Sequence, residues 1–252
     1  MAIGDQTVSP RLYTVGRGQI YFQESGAAFY TQLGNTPELG FTQSIEDLKH
    51  YSSRSGVNVL DASVVLQQDV SASFTLDEFK ASNLRFFFMS TLNTAATQIA
   101  GAFSLTIAAA AQGGVYNLGA YNLSALTVST TGGSPDWVLN TDYEVDLVGG
   151  ILYITEASGI SGISIDVTAT QAATATNTVN AATATTFKGD FLFVGDPPIG
   201  ARIKVSGYGS LKPSGDVPGI SDDWMTMPFI IDFEENASYT GLIDVVNFGT
   251  VT

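Results

Sequence analysis

One histidine, no cysteine and a few clustered carboxylates bound any chemistry this chain could do. His50 is the lone imidazole. It stands in a charged, serine-rich stretch, and the chain has no nucleophile elbow to pair with it, so serine–histidine catalysis lacks its parts. One His without Cys also rules out a histidine- or thiolate-based zinc shell. Asp142, Glu144 and Asp146 alternate along one strand and could present three carboxylates to Ca²⁺, but no Gly turn falls among them, which favours a solvated strand face. Asp222-Asp223-Trp224 sets carboxylates beside an aromatic platform, as a sugar site would; the other reading is a capped turn followed by a buried Trp that opens the last strand. Gly16-Arg17-Gly18 opens like a dinucleotide loop, yet it enters a strand and lacks the third glycine. There is no P-loop, so the expectation is a protein that is not an enzyme and holds no cofactor or metal.

Composition points the same way. The 252 residues carry 10 Lys and Arg against 24 Asp and Glu, a net charge of −14. A specific nucleic-acid binder needs clustered cations to neutralise phosphates, and so few cations argue against one. Hydrophobic residues make up 44%, enough for a core, while charged residues make up only 13%, about half the usual share. Gly, Ser, Thr and Ala fill the gap. Met1–Asp5 has neither a basic nor an apolar region of the kind that opens a secretory signal. The longest apolar run, residues 99–111, is too short to span a membrane.

The elements that must position these residues are mostly strands. Along residues 64–76, Val64, Leu66, Val70, Ala72, Phe74 and Leu76 fall on one face, broken only by Gln68; Gln67, Asp69, Ser71, Ser73 and Thr75 fall on the other. A period of two over that length predicts a strand of about 40 Å with one dry and one wet face. Residues 19–23, 29–33, 41–48, 191–194, 203–211 and 225–233 also read as strands. Residues 49–58 read as a long exposed loop ahead of the long strand, and residues 1–12 as a loose arm. Residues 78–89, capped by Asp77, are the one helix candidate, with Phe79, Leu84, Phe86, Phe87 and Phe88 directed at the sheet. From Thr91 the texture turns to Ala, Thr and Gly. Residues 142–147 and 151–155 form a hairpin about Gly149-Gly150, residues 163–168 form another strand, and the Ala/Thr-rich 168–186 reads equally as a linker or a solvated edge strand. The expected plan is a mainly β, discontinuous sandwich or barrel of residues 13–92 plus 187–252 with one flanking helix, interrupted by a mainly β insertion at 93–186.

Within residues 13–92 the order is a hairpin about Ser25-Gly26, then Leu33-Gly34-Asn35-Thr36-Pro37, Ser44 through Gly56, the long strand, and Phe74-Thr75-Leu76-Asp77-Glu78. That series resembles the major tail tube proteins of long, non-contractile-tailed bacteriophages. Gly189–Val194, Gly195-Asp196-Pro197-Pro198, Leu211-Lys212-Pro213-Ser214-Gly215 and Ile220-Ser221-Asp222-Asp223-Trp224 follow in the family's order. The resemblance covers roughly half the chain, and its motifs are diffuse. It implies a subunit whose copies close into hexameric rings with a shared inner barrel. The rings would stack into a tube that conducts DNA without specific binding. It implies tape measure, tail terminator and distal tail proteins as further partners, assembly in the host cytoplasm and a place in the virion tail, with no membrane. The loop that contacts neighbouring subunits in such proteins corresponds to Glu46, Asp47, Lys49, His50, Tyr51 and Arg54. If Gln67, Asp69, Ser71, Ser73 and Thr75 face the lumen, its wall is polar, faintly acidic and free of cations, so DNA has nothing there to exchange for its counterions. A bacterial surface-layer or fimbrial subunit is the competing expectation, which the Ala/Thr/Gly composition also suits.

Overall fold

The computed structural model describes residues 14–54, 56–91 and 93–250. The expected arm at residues 1–12 lies outside the described residues. The chain is mainly β with a single helix among the described residues. It divides into two compact units, one formed by Met1–Asn93 with Val179–Thr252 and the other by Thr94–Thr178.

The first unit opens with β1 (Gly18–Glu24), β2 (Thr31–Gly34), β3 (Glu38–Ser52), β4 (Val59–Leu76) and the helix α1 (Ala81–Phe87). The chain then runs through β5 (Asn93–Gln98), β6 (Gly101–Ala110), β7 (Val115–Asn117), β8 (Leu123–Thr130), β9 (Asp136–Trp137), β10 (Tyr143–Asp146), β11 (Ile151–Ile154), β12 (Ile163–Gln171) and β13 (Thr174–Val179). It returns as β14 (Phe187–Gly195), β15 (Ala201–Pro213), β16 (Met227–Phe233) and β17 (Ile243–Thr250).

The first unit is one eight-stranded sheet in the order β2-β1-β14-β15-β16-β4-β3, with β17 branching from β15. All of its pairings are antiparallel, and β15 serves two neighbours on one side. Residues 201–207 pair with β17 and residues 209–213 with β16. Gly207 and Gly209 make that fork possible: a Cβ on Gly207 would sit 2.8 Å from the Leu242 carbonyl oxygen, and one on Gly209 2.5 Å from that of Asp232.

The sheet rolls over its own core. In sheet order β3 is four strands from β14, a flat separation of about 19 Å, yet the rings of Phe41 on β3 and Phe191 on β14 lie 6.2 Å apart. Strict alternation fills the interior: Met227, Phe229, Ile231 and Phe233 of β16 are buried, and so are Ala72, Phe74 and Leu76 of β4. Phe74 stacks on Phe229 at 5.6 Å. The helix closes one side, with Phe86 edge-on to Phe22 and Phe187, and Phe87 edge-on to Phe229. Arg85 lies over the Phe86 and Phe187 rings and pairs with Glu24.

The helix is shorter than the expected 78–89, and Asp77 does not cap it. Asp77 and Glu78 are tied instead to the turn after β2. Asn35 donates through Nδ2 to Asp77 at 2.5 Å and through its backbone N–H to Glu78 Oε1 at 3.0 Å. Lys80 holds the N-cap position with no side-chain cap. The buried Asn83 donates to the Leu33 and Glu78 carbonyls and so pins the first turn.

The second unit has a core of its own, containing Leu123, Val128, Tyr143, Leu152, Ile154, Ile160, Ile165 and Val167. Its sheets run β6-β12-β8-β9 and β10-β11-β7, and β5 pairs with β13 as a two-stranded ribbon. The Ala/Thr-rich stretch is therefore part strand, as one of its two readings held.

Candidate functional site

The most distinctive construction in the molecule is the hairpin of β3 and β4, of 15 and 18 residues. Its base, from Glu38 to Gln43 against Val70 to Leu76, belongs to the body: Leu39 pairs with Phe74 and Phe41 with Ala72, on the core side. Beyond Val70 the strands leave the core and run on for about 35 Å, and every described side chain from Ser44 to Tyr51 and from Val59 to Asp69 is exposed.

Glu46, Asp47, Lys49, His50 and Tyr51 therefore lie in β3, where sequence reading expected a loop from residue 49 to 58. The true connection runs between Ser52 and Val59 and includes Arg54, while Ser55 lies outside the described residues. Lys49, His50 and Ser52 look like loop residues because neither face of the strand meets the core there. No burial alternation was available to reveal it.

A bulge corrects the dry face as well. Glu46 pairs with Gln67, but Asp47 pairs with Val65, so Leu66 is an extra residue. Past it the alternation of β4 shifts by one. Val64 pairs with Leu48 and falls on the face of Gln67 and Asp69, while Val65 and Leu60 continue the other face opposite Asp47 and Tyr51. Val64 and Leu66 are 59% and 61% exposed instead of buried. Gln68 is then no anomaly: it pairs with Ile45 where that face has already left the core.

Gln67, Asp69, Ser71, Ser73 and Thr75 do share a face, opposite Glu46, Ser44, Thr42, Gly40 and Glu38 respectively. Gln67 Nε2 donates to Asp69 Oδ2 at 2.6 Å along it. This band carries Glu38, Glu46 and Asp69 and no cation. Nearer the tip, His50 Nδ1 meets Asp61 Oδ1 at 2.5 Å with both side chains exposed.

The other candidates do not converge. Asp142 accepts from the Val138 N–H at 2.9 Å and Asp146 from the Val148 N–H at 3.0 Å. Two of the three carboxylates thus serve turns, and Asp142 lies outside β10. Around Asp222-Asp223-Trp224 the capped turn is present: the Asp223 N–H donates to Ser221 Oγ at 3.1 Å, and the Trp224 N–H to Asp223 Oδ1 at 2.7 Å. The expected burial of Trp224 is not; its side chain is 89% exposed. β16 begins only at Met227, and its inward positions are odd-numbered, so Trp224 is neither in the strand nor in phase with the core.

Sequence reading missed one strand of the first unit, β17. Its exposed Val245, Val246 and Phe248 show no wet face, which hid the period of two. Among the described residues no helix is long and apolar enough to cross a membrane.

No curated protein matches the chain. Residues 13–197 match the family described as protein of unknown function UCP028589, and since that span is most of the chain, the chain belongs to that family.

Proposed function

We propose that this chain is the structural subunit of a phage tail tube, whose copies close into hexameric rings that stack around a lumen conducting DNA. The observation that carries the reading is the hairpin arm. Ile45, Val65, Leu60 and Tyr51 are exposed on one face of it, and Leu48, Val64 and Val59 on the other. Apolar side chains on both faces of a strand pair, past the end of the chain's own core, call for burial by other molecules. Copies of the same chain are the economical source, because closing β-strands into a shared barrel also covers the outer edge of β3. The band from Gln67 to Thr75 would then be the lumen wall, polar and without cations, against which a polyanion finds no counterion exchange. Tape measure, tail terminator and distal tail proteins would meet the tube in the virion.

Negative-stain electron microscopy of the purified chain tests the reading. Hollow tubes of stacked six-fold rings are expected; flat lattices would indicate a surface-layer protein, solid fibres a fimbrial one, and either would overturn it. Asp69→Lys with Ser71→Lys should leave tubes intact and slow DNA release. Unchanged release would remove the lumen assignment.

A further inference from the structure

The first unit holds a second feature, which takes in Glu38, Ser73 and Thr75 at the base of the polar band and extends well beyond it. An open cleft of about 750 Å³ lies along the rolled sheet, with Ile20, Leu39, Phe41, Phe193, Ile203 and Phe229 in its wall and Arg17 at its β1 side. Its size and apolar lining suit a bulky apolar side chain or a small molecule. Arg17 makes no ion pair among the described residues. Ser214 and Pro228, also in the wall, bracket the loop that joins β15 to β16.

That loop carries the most exposed large apolar side chains of the described chain, Ile220 at 100% and Trp224 at 89%. It also carries Asp216, Asp222 and Asp223 and no cation. The two hydrogen bonds linking Ser221, Asp223 and Trp224 hold a compact turn, so the indole is presented outward on an ordered support. An exposed Trp beside a second apolar anchor, flanked by charge, has the composition of a binding hot spot, and ordering beforehand lowers the cost of docking.

We infer that the loop around Ile220 and Trp224 docks into the cleft of a second copy of this chain. The apolar anchors match the apolar part of the wall, and Asp222 and Asp223 match the unpaired Arg17, the one cation among the lining residues, where Glu38 is the one anion. The loop has its own chain's cleft within reach of its base, yet nothing between Gly215 and Met227 lines that cleft. The knob and the socket are different patches, so the contact is head-to-tail and passes from one copy to the next. The inference rests on the tube reading for the identity of the partner, and it adds a contact separate from the hairpin arm.

Because the chain has no cysteine, engineered disulfides report the contact cleanly. In a chain carrying Asp222→Cys and Glu38→Cys, with one thiol on the loop and one on the cleft wall, oxidation under assembly conditions should give a ladder of covalent multimers extending past the dimer. Adding Trp224→Ala should cut the yield of that ladder at least tenfold while the melting temperature stays unchanged. An intrachain disulfide alone, dimers that stop there, or a ladder indifferent to Trp224→Ala would each overturn the inference. Microscopy of the unmodified chain under the same conditions separates the two ideas. Tubes without a ladder overturn the docking and leave the tube, a ladder without tubes keeps the docking and overturns the tube, and neither tubes nor ladder overturns both.

Discussion

The molecule contains two hairpins built on opposite terms. In the second unit β10 and β11 are four residues each, turn at Gly149-Gly150, and bury Tyr143, Leu152 and Ile154. Those strands stop where their core stops. In the first unit β3 and β4 run on for some ten residues past theirs and keep apolar side chains exposed on both faces. Hydrophobic burial is worth roughly 25 cal/mol per Å², so a strand pair that forgoes it within the chain has it available between chains. The two units differ in charge as well. The second unit has Asp136, Asp142, Glu144, Asp146, Glu156 and Asp166 but no Lys, Arg or His. All ten cations of the chain fall outside it. The second unit packs a core of its own and carries one sign of charge, whereas the first carries cations as well and the exposed apolar arm.

The contrast can be broken most forcefully in the cores. Phe229→Ala in the first unit should cost about 3–5 kcal/mol and Ile165→Ala in the second about 2–5 kcal/mol. In urea unfolding each substitution is expected to lower only the transition of its own unit; a joint shift would mean that the units do not unfold separately. The arm should respond in the opposite sense. Leu48→Asp with Val65→Asp is expected to move monomer stability by less than about 0.5 kcal/mol, as at other exposed sites. It should weaken self-association in sedimentation by about thirtyfold or more, the scale of losing one interface hot spot. A large loss of monomer stability would show that the arm is already packed within one chain.

Smaller effects test the body of the first unit. Arg85→Ala removes a guanidinium lying over two phenyl rings and leaves Glu24 without its partner, at an expected cost of about 1–2 kcal/mol by chemical denaturation. Lys212→Ala, at the exposed pair with Asp232, should fall within about 0.5 kcal/mol. The last effect is alkaline. Burial, and then the hydrogen bond to the Asp190 carboxylate at 2.8 Å, hold the Tyr239 phenol well above its ordinary value, with Tyr30 adding to the shift. Above about pH 10 the unfolded chain releases that proton and the folded chain does not. Stability present at neutral pH should therefore decline as pH rises past 10, and Tyr239→Phe should flatten the decline in a melting-temperature series.

How far the fold could be read follows from where burial acts. β14, β15 and β16 were legible because each packs one face on the core and so alternates. The β10–β11 hairpin was legible from its Gly-Gly turn. The helix was overextended because Asp77 and Glu78 resemble a capped first turn, and only the contact with Asn35, more than forty residues away in sequence, takes them out of it. The outer part of β3 read as a loop because its charges and serines lie against solvent on both faces. Trp224 read as buried because aromatic residues usually are, and the place where β16 begins is set by its register with β4.

By itself the sequence determined which chemistries this chain lacks the residues for, that its body is built of half-buried strands, and that one long stretch of it carries no cation. These depend only on residue types and their local period. Tertiary structure alone decided that the long strand outruns its core, that a bulge at Leu66 turns Val64 toward the polar face, and that Trp224 stands in solvent. Those outcomes depend on which strand lies opposite and where the core ends, and neither is written in the local pattern of side chains.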